Sequence, residues 1–124
     1  MWEALYNIFQ QRKLKTQYEV AQAQQEEILL NFYQTIFTAS NEVSNILQTL
    51  ETLKKQLTRR QAQEQTLQSA LENAETLLRE GSANYLEVLT MQENLLSIQL
   101  QLIDTKTAQL QSMTQLYRAL GSGL

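Results

Sequence analysis

The sequence predicts an all-α fold: a long antiparallel helical hairpin, with one long helix (about 3–57) packed against two shorter coaxial helices (about 61–80 and 85–120). Three observations predict it. The chain has no proline, and Gly81 is its one glycine ahead of Gly121. Pro lacks a backbone donor and Gly alone takes positive φ cheaply, so a stretch without them has few places to stop a helix. Apolar residues recur at heptad spacing over most of the length. Finally, the first arm is about as long as the other two laid end to end, at about 1.5 Å of rise per residue.

The first arm carries the clearest seam. From Leu29 the apolar positions run Phe32, Ile36, Ala39, Val43, Ile46, Leu50, Leu53 and Leu57, alternating steps of four and three after the first. Upstream, Leu14, Tyr18, Ala21 and Ile28 keep helical spacing with one apolar position missing, and nothing from Glu3 to Leu57 would stop a helix.

The seam then lapses through Thr58-Arg59-Arg60-Gln61-Ala62-Gln63-Glu64-Gln65 and returns as Leu67, Leu71, Ala74 and Leu78. The third arm reads Leu86, Leu89, Leu96, Leu100, Ile103, Leu110, Met113, Tyr117 and Leu120, with polar Glu93 and Thr107 in two heptad positions. Gly81-Ser82-Ala83-Asn84 suits a helix stop and restart, with Gly81 as the C′ residue and Ser82 or Asn84 as the next N-cap. Matching arm lengths favour a fold-back near Leu57 to Gln61. The rival is a single helix from 3 to 80 that reverses only at Gly81, leaving roughly its first 40 residues without a partner in the chain.

Composition bounds the function. The chain has 124 residues, enough for one domain, and its 43% apolar share with abundant glutamine supports a narrow seam more than a thick core. A formal charge of −3 argues against a nucleic-acid partner. With no cysteine and no histidine, disulfides, zinc-thiolate sites and histidine catalysis are excluded. No apolar run approaches the roughly 18 residues of a membrane span, so no direct span is expected. Met1-Trp2-Glu3-Ala4-Leu5 lacks the features of a secretory signal. The expectation is a cytosolic protein, or a mature or shortened form of an exported one.

Candidate chemistry is sparse. Glu26-Glu27 and the pair Glu72 and Glu75 are the tight carboxylate groups; Glu72 and Glu75 share a helical face, as a metal or acid/base pair would. A solvated surface accounts for them better, since no phosphate loop or nucleophile elbow accompanies them. No enzyme and no cofactor are expected.

Lys54, Lys55, Arg59 and Arg60 form the densest basic cluster, at the expected fold-back. Cations in a last helical turn complement the macrodipole, which explains them without a partner; a charged docking tip is the sharper reading. From Thr16 to Thr52 there are five acidic residues and no basic one, fitting either a hydrated outer face or an acidic lumen. Trp2, Tyr6 and Phe9 share one face, as membrane-interface aromatics do, although such residues more often cap an apolar seam.

Several segments resemble one family. Leu78-Arg79-Glu80-Gly81 followed by Tyr85-Leu86-Glu87-Val88-Leu89-Thr90-Met91-Gln92 is similar to the Y-x-x-G-x-x-x-Y-L-E-V-L-x-A-Q stretch of TolC-like outer-membrane efflux proteins. The tail Leu116-Tyr117-Arg118-Ala119-Leu120-Gly121-Ser122-Gly123-Leu124 resembles that family's L-Y-R-A-L-G-G-G-W ending. Gln17 to Gln25 and Ala39-Ser40-Asn41-Glu42-Val43 are similar to its long-helix segments, so the likeness runs from about Ile8 to Gly123. Leu78 and Met91 depart from the first motif; Ser122 and Leu124 depart from the second.

The resemblance implies the C-terminal repeat of a channel component of tripartite efflux pumps, α-barrel portion only, with no β-barrel segment within residues 1–124. In such proteins two-repeat subunits form a trimeric, twelve-helix tunnel through the periplasm below an outer-membrane β-barrel. Residues near Leu53 to Gln61 would then be the periplasmic tip, with Lys54, Lys55, Leu57, Arg59 and Arg60 meeting the adaptor protein. Gly81 and Tyr85 would form a structural joint at the equatorial girdle, and the acidic stretch would line the lumen. The implied partners are the adaptor, an inner-membrane pump, and copies of the chain or a sister repeat; six copies could stand in for three two-repeat subunits. The implied place is the outer membrane and periplasm for the parent protein, with this segment itself soluble. The competing reading is a helical-hairpin or coiled-coil interaction module with no transport role.

Overall fold

A computed structural model describes residues 1–121, and within them the chain is all-α, as the sequence predicts. It has two helices, α1 (Trp2–Arg79) and α2 (Tyr85–Gly121). The expected fold-back at Leu57 to Gln61 does not occur. α1 runs unbroken through it, and the reversal lies at Gly81.

The physical reason is in the seam. One row of half-buried or buried positions in α1 runs Val43, Ile46, Leu50, Leu53, Leu57, Arg60, Glu64, Leu67, Leu71, Ala74 and Leu78, in alternating steps of three and four, with half-buried Ala70 and Glu75 beside it. The seam therefore never lapses between 58 and 65. It passes through two charged residues, Arg60 and Glu64, that keep heptad phase. The Arg60 guanidinium donates to the backbone carbonyl of Gln101 at 2.8 Å, and Glu64 Oε1 accepts from the Gln99 amide at 3.2 Å. Polar seam positions are tolerated where each finds a partner across the interface.

The two compact units divide near residue 41. In the first, Met1–Asn41, every residue is exposed, Phe32 and Ile36 included. The seam read there from the sequence has helical spacing but no covering helix in this unit. The second unit, from Glu42 onward, is the antiparallel hairpin of the C-terminal half of α1 with α2.

α2 packs on a different face from the one its leucines suggest. The buried or half-buried row is Val88, Met91, Leu95, Ile98, Leu102, Thr105, Ser112, Leu116 and Ala119. Thr105 and Ser112 are buried, and the Thr105 hydroxyl satisfies itself on the Gln101 carbonyl at 2.8 Å. The leucine row from Leu86 to Leu120 lies outside.

Candidate functional site: the hairpin turn and the outer face of α2

The turn is built by two caps. Gly81 has φ +78°, the left-handed conformation in which a side chain is strained. Gly81 N–H donates to the Leu78 carbonyl at 3.1 Å and Ser82 N–H to the Leu77 carbonyl at 2.9 Å, the paired bonds of a Schellman stop. Asn84 starts α2: its side-chain oxygen accepts from Leu86 N–H at 3.3 Å, and its carbonyl accepts from Glu87 N–H at 3.1 Å. Of the two N-cap candidates read from sequence, Asn84 does the capping.

Around this turn Leu78 is half-buried and Val88 buried, so the seam is closed up to the reversal. Tyr85, Leu86 and Leu89 project outward beside it. Gly81 and Tyr85 thus sit at the hairpin reversal itself, in place of the joint between two coaxial helices that the sequence predicts.

The basic cluster is not at a turn. Lys54, Lys55, Leu57, Arg59 and Arg60 all lie within α1, more than 15 residues before its end. Leu57 and Arg60 face the seam; Lys54, Lys55 and Arg59 are exposed. Lys55 Nζ stands 3.1 Å from Glu51 Oε1 one turn earlier, a surface pair of small energetic weight. A last-turn interaction with the helix dipole cannot apply to these four cations, because the dipole acts within the terminal turns.

The largest feature missed in the sequence is the two-sidedness of α2. Leu86, Leu89, Leu96, Leu100, Ile103, Leu110, Met113, Tyr117 and Leu120 form a stripe whose members are 37% to 80% exposed, on the side away from the buried row. Over the same hairpin α1 exposes only Leu47 and Leu77 among its large apolar side chains. The signal was present: two interleaved heptad rows in one helix, offset by two residues, mean two packing faces.

The five acids from Thr16 to Thr52, Glu19, Glu26, Glu27, Glu42 and Glu51, are all exposed. Among the described residues no group of acidic side chains is arranged to hold a metal ion, and no helix is long and apolar enough to cross a membrane. Ser122, Gly123 and Leu124 of the tail motif lie outside the described residues.

The family model described as "Outer membrane efflux protein" matches residues 3–122. Among curated proteins, the chain is 31% identical over 116 residues to the cation efflux system protein CusC of Escherichia coli O6:H1, covering 94% of this chain and 25% of CusC. It is 29% identical over 116 residues to the probable outer membrane lipoprotein SilC of Salmonella typhimurium, with the same coverage of each chain. With the probable efflux pump outer membrane protein TtgC of Pseudomonas putida it shares 34% identity over 116 residues, 94% of this chain and 24% of TtgC. No solved structure matches. The chain spans about a quarter of the length of these relatives. The match extends over both helices and the capped turn between them, and the chain belongs to the outer membrane efflux protein family.

Proposed function

We propose that residues 1–124 act as one stave of the periplasmic α-helical tunnel of an outer-membrane efflux channel, working in tripartite export and performing no catalysis. The observation that carries this reading is the outer stripe of α2. A hairpin with one closed seam and a second apolar row facing outward is built to stand beside another helix pair. In a tunnel wall that neighbour is a sister repeat or another copy of the chain. The relatives, roughly four times longer, are named for efflux and export, which supports the transport role.

On this reading the tip that meets the adaptor protein is the reversal from Arg79 to Tyr85, since that is where α1 and α2 join. Lys54, Lys55 and Arg59 then lie along the side of the stave and offer the same partner a lateral, basic contact, while Leu57 and Arg60 hold the seam. The exposed carboxylates Glu19, Glu26, Glu27 and Glu42 are the candidate lumen lining. The parent protein would sit in the outer membrane and periplasm, with an inner-membrane pump completing the assembly.

Light scattering of the full chain at micromolar concentration tests the stave reading. Association beyond the monomer is expected, and it should be lost in the double variant Leu100→Gln/Ile103→Gln. A monomer that persists as concentration rises contradicts it.

A further inference from the structure

The first two turns of α1 carry a second exposed apolar patch, separate from the outer stripe of α2. Trp2, Leu5, Tyr6 and Phe9 follow the i, i+3, i+4, i+7 pattern of one helical face, and all four are exposed; Trp2 is 86% exposed and Phe9 72%. They cap no seam within their unit. Arg12 and Lys13, three and four residues beyond Phe9, continue the same face as cations, and Lys15 adds a third charge. No acidic residue lies between Glu3 and Glu19.

We propose that residues 2–15 of α1 bind an anionic phospholipid surface, lying at the headgroup level without crossing the bilayer. The residue types decide the occupant. Trp and Tyr have an apolar ring body with a polar N–H or O–H, which suits the boundary between acyl chains and water. An aromatic and leucine face followed at once by Arg and Lys is the composition of an interfacial helix, whose cations are drawn to acidic headgroups. A protein groove would satisfy the apolar side chains but gives no reason for three cations in four residues without an acid nearby. No helix among the described residues has the apolar length to span, so the contact is peripheral. The inference stands apart from the outer stripe of α2, and its failure would leave the stave reading untouched.

Trp2 is the only tryptophan, which makes it a site-specific reporter. The full chain is titrated with vesicles of phosphatidylcholine alone and of phosphatidylcholine with phosphatidylglycerol, following Trp2 emission and co-sedimentation. Expected are a blue shift and co-sedimentation on the phosphatidylglycerol vesicles, both weakened as salt is raised. The triple variant Arg12→Gln/Lys13→Gln/Lys15→Gln should bind on the order of a hundredfold more weakly. Tyr6→Ser/Phe9→Ser should lose the blue shift while circular dichroism stays helical, and Leu100→Gln/Ile103→Gln should bind like the parent chain. Equal binding to both vesicle types, or a triple variant that binds unchanged, overturns the proposal. So does a Trp2 shift that depends on protein concentration and not on lipid, which would make the patch a contact between copies.

Discussion

The Arg60 guanidinium lies 2.8 Å from the backbone carbonyl of Gln101, an oxygen that the Thr105 hydroxyl also reaches at 2.8 Å. This contact, 41 positions apart in sequence, ties the C-terminal half of α1 to the middle of α2. It explains how a charged residue can occupy a heptad position without interrupting the helix. Replacing Arg60 with Ala removes one bond from a carbonyl that keeps another partner, so the cost should be modest, about 1 kcal/mol. Arg60→Leu should be neutral or stabilising, because an apolar side chain of similar reach fills the seam. Urea unfolding followed by circular dichroism checks both signs. A loss of several kcal/mol in Arg60→Leu would mean that the seam depends on the charge.

The turn makes a second prediction. No atom lies within 4 Å of where a Cβ on Gly81 would sit, so a substitution there meets open space. The cost of Gly81→Ala is then conformational alone, about 1–2 kcal/mol for a left-handed alanine. Gly81→Asn should cost less, since Asn tolerates this region better. Asn84→Ala should remove the N-cap of α2 for about 1 kcal/mol, with Asn84→Asp close to the parent chain. Thermal melts of the four variants order them directly.

The two faces of α2 should respond in opposite ways. Leu102 is 6% exposed in the seam, and Leu102→Ala should cost about 2–4 kcal/mol by cavity formation. Leu100 and Ile103 are more than half exposed. Leu100→Gln/Ile103→Gln should therefore leave the unfolding free energy of the hairpin nearly unchanged under dilute conditions while abolishing association. If the pair destabilises the dilute chain as much as Leu102→Ala, the stripe is part of the hairpin core.

Much of the fold was legible in the residues. The absence of proline and the isolation of Gly81 gave two helical stretches meeting at residues 80–85, and Asn84 was already a candidate cap. The position of the reversal is hidden in the sequence because Arg60 and Glu64 look like gaps in the seam. Counting by sevens from Ile46 reaches Leu53, Arg60, Leu67 and Ala74, and from Val43 reaches Leu50, Leu57, Glu64, Leu71 and Leu78. Phase, more than polarity, shows that the helix continues. Arm length misleads for a related reason: it points to a reversal near residue 59 only if every apolar stretch is covered inside the chain, whereas residues 2–41 are exposed throughout. In α2 the more hydrophobic row suggests itself as the packing face, yet it is the exposed one. The buried row contains Thr105 and Ser112, small polar residues that satisfy close approach to α1, and hydrophobicity alone ranks it second.

The chain reverses at Gly81, and on the proposed tunnel reading the Arg79 to Tyr85 turn would be the tip. The chain has no native cysteine, so spin labels placed at Gln56→Cys and Lys106→Cys, both exposed, measure the distance across the hairpin without background. With neighbouring helix axes about 10 Å apart and the Arg60 to Gln101 register, pulsed dipolar spectroscopy should give a separation within about 25 Å. A reversal near residue 59, with 61–80 and 85–120 stacked end to end, would place residue 106 about 70 Å along the axis from that turn. A short distance supports reversal at Gly81, and a distribution centred near the long value contradicts it.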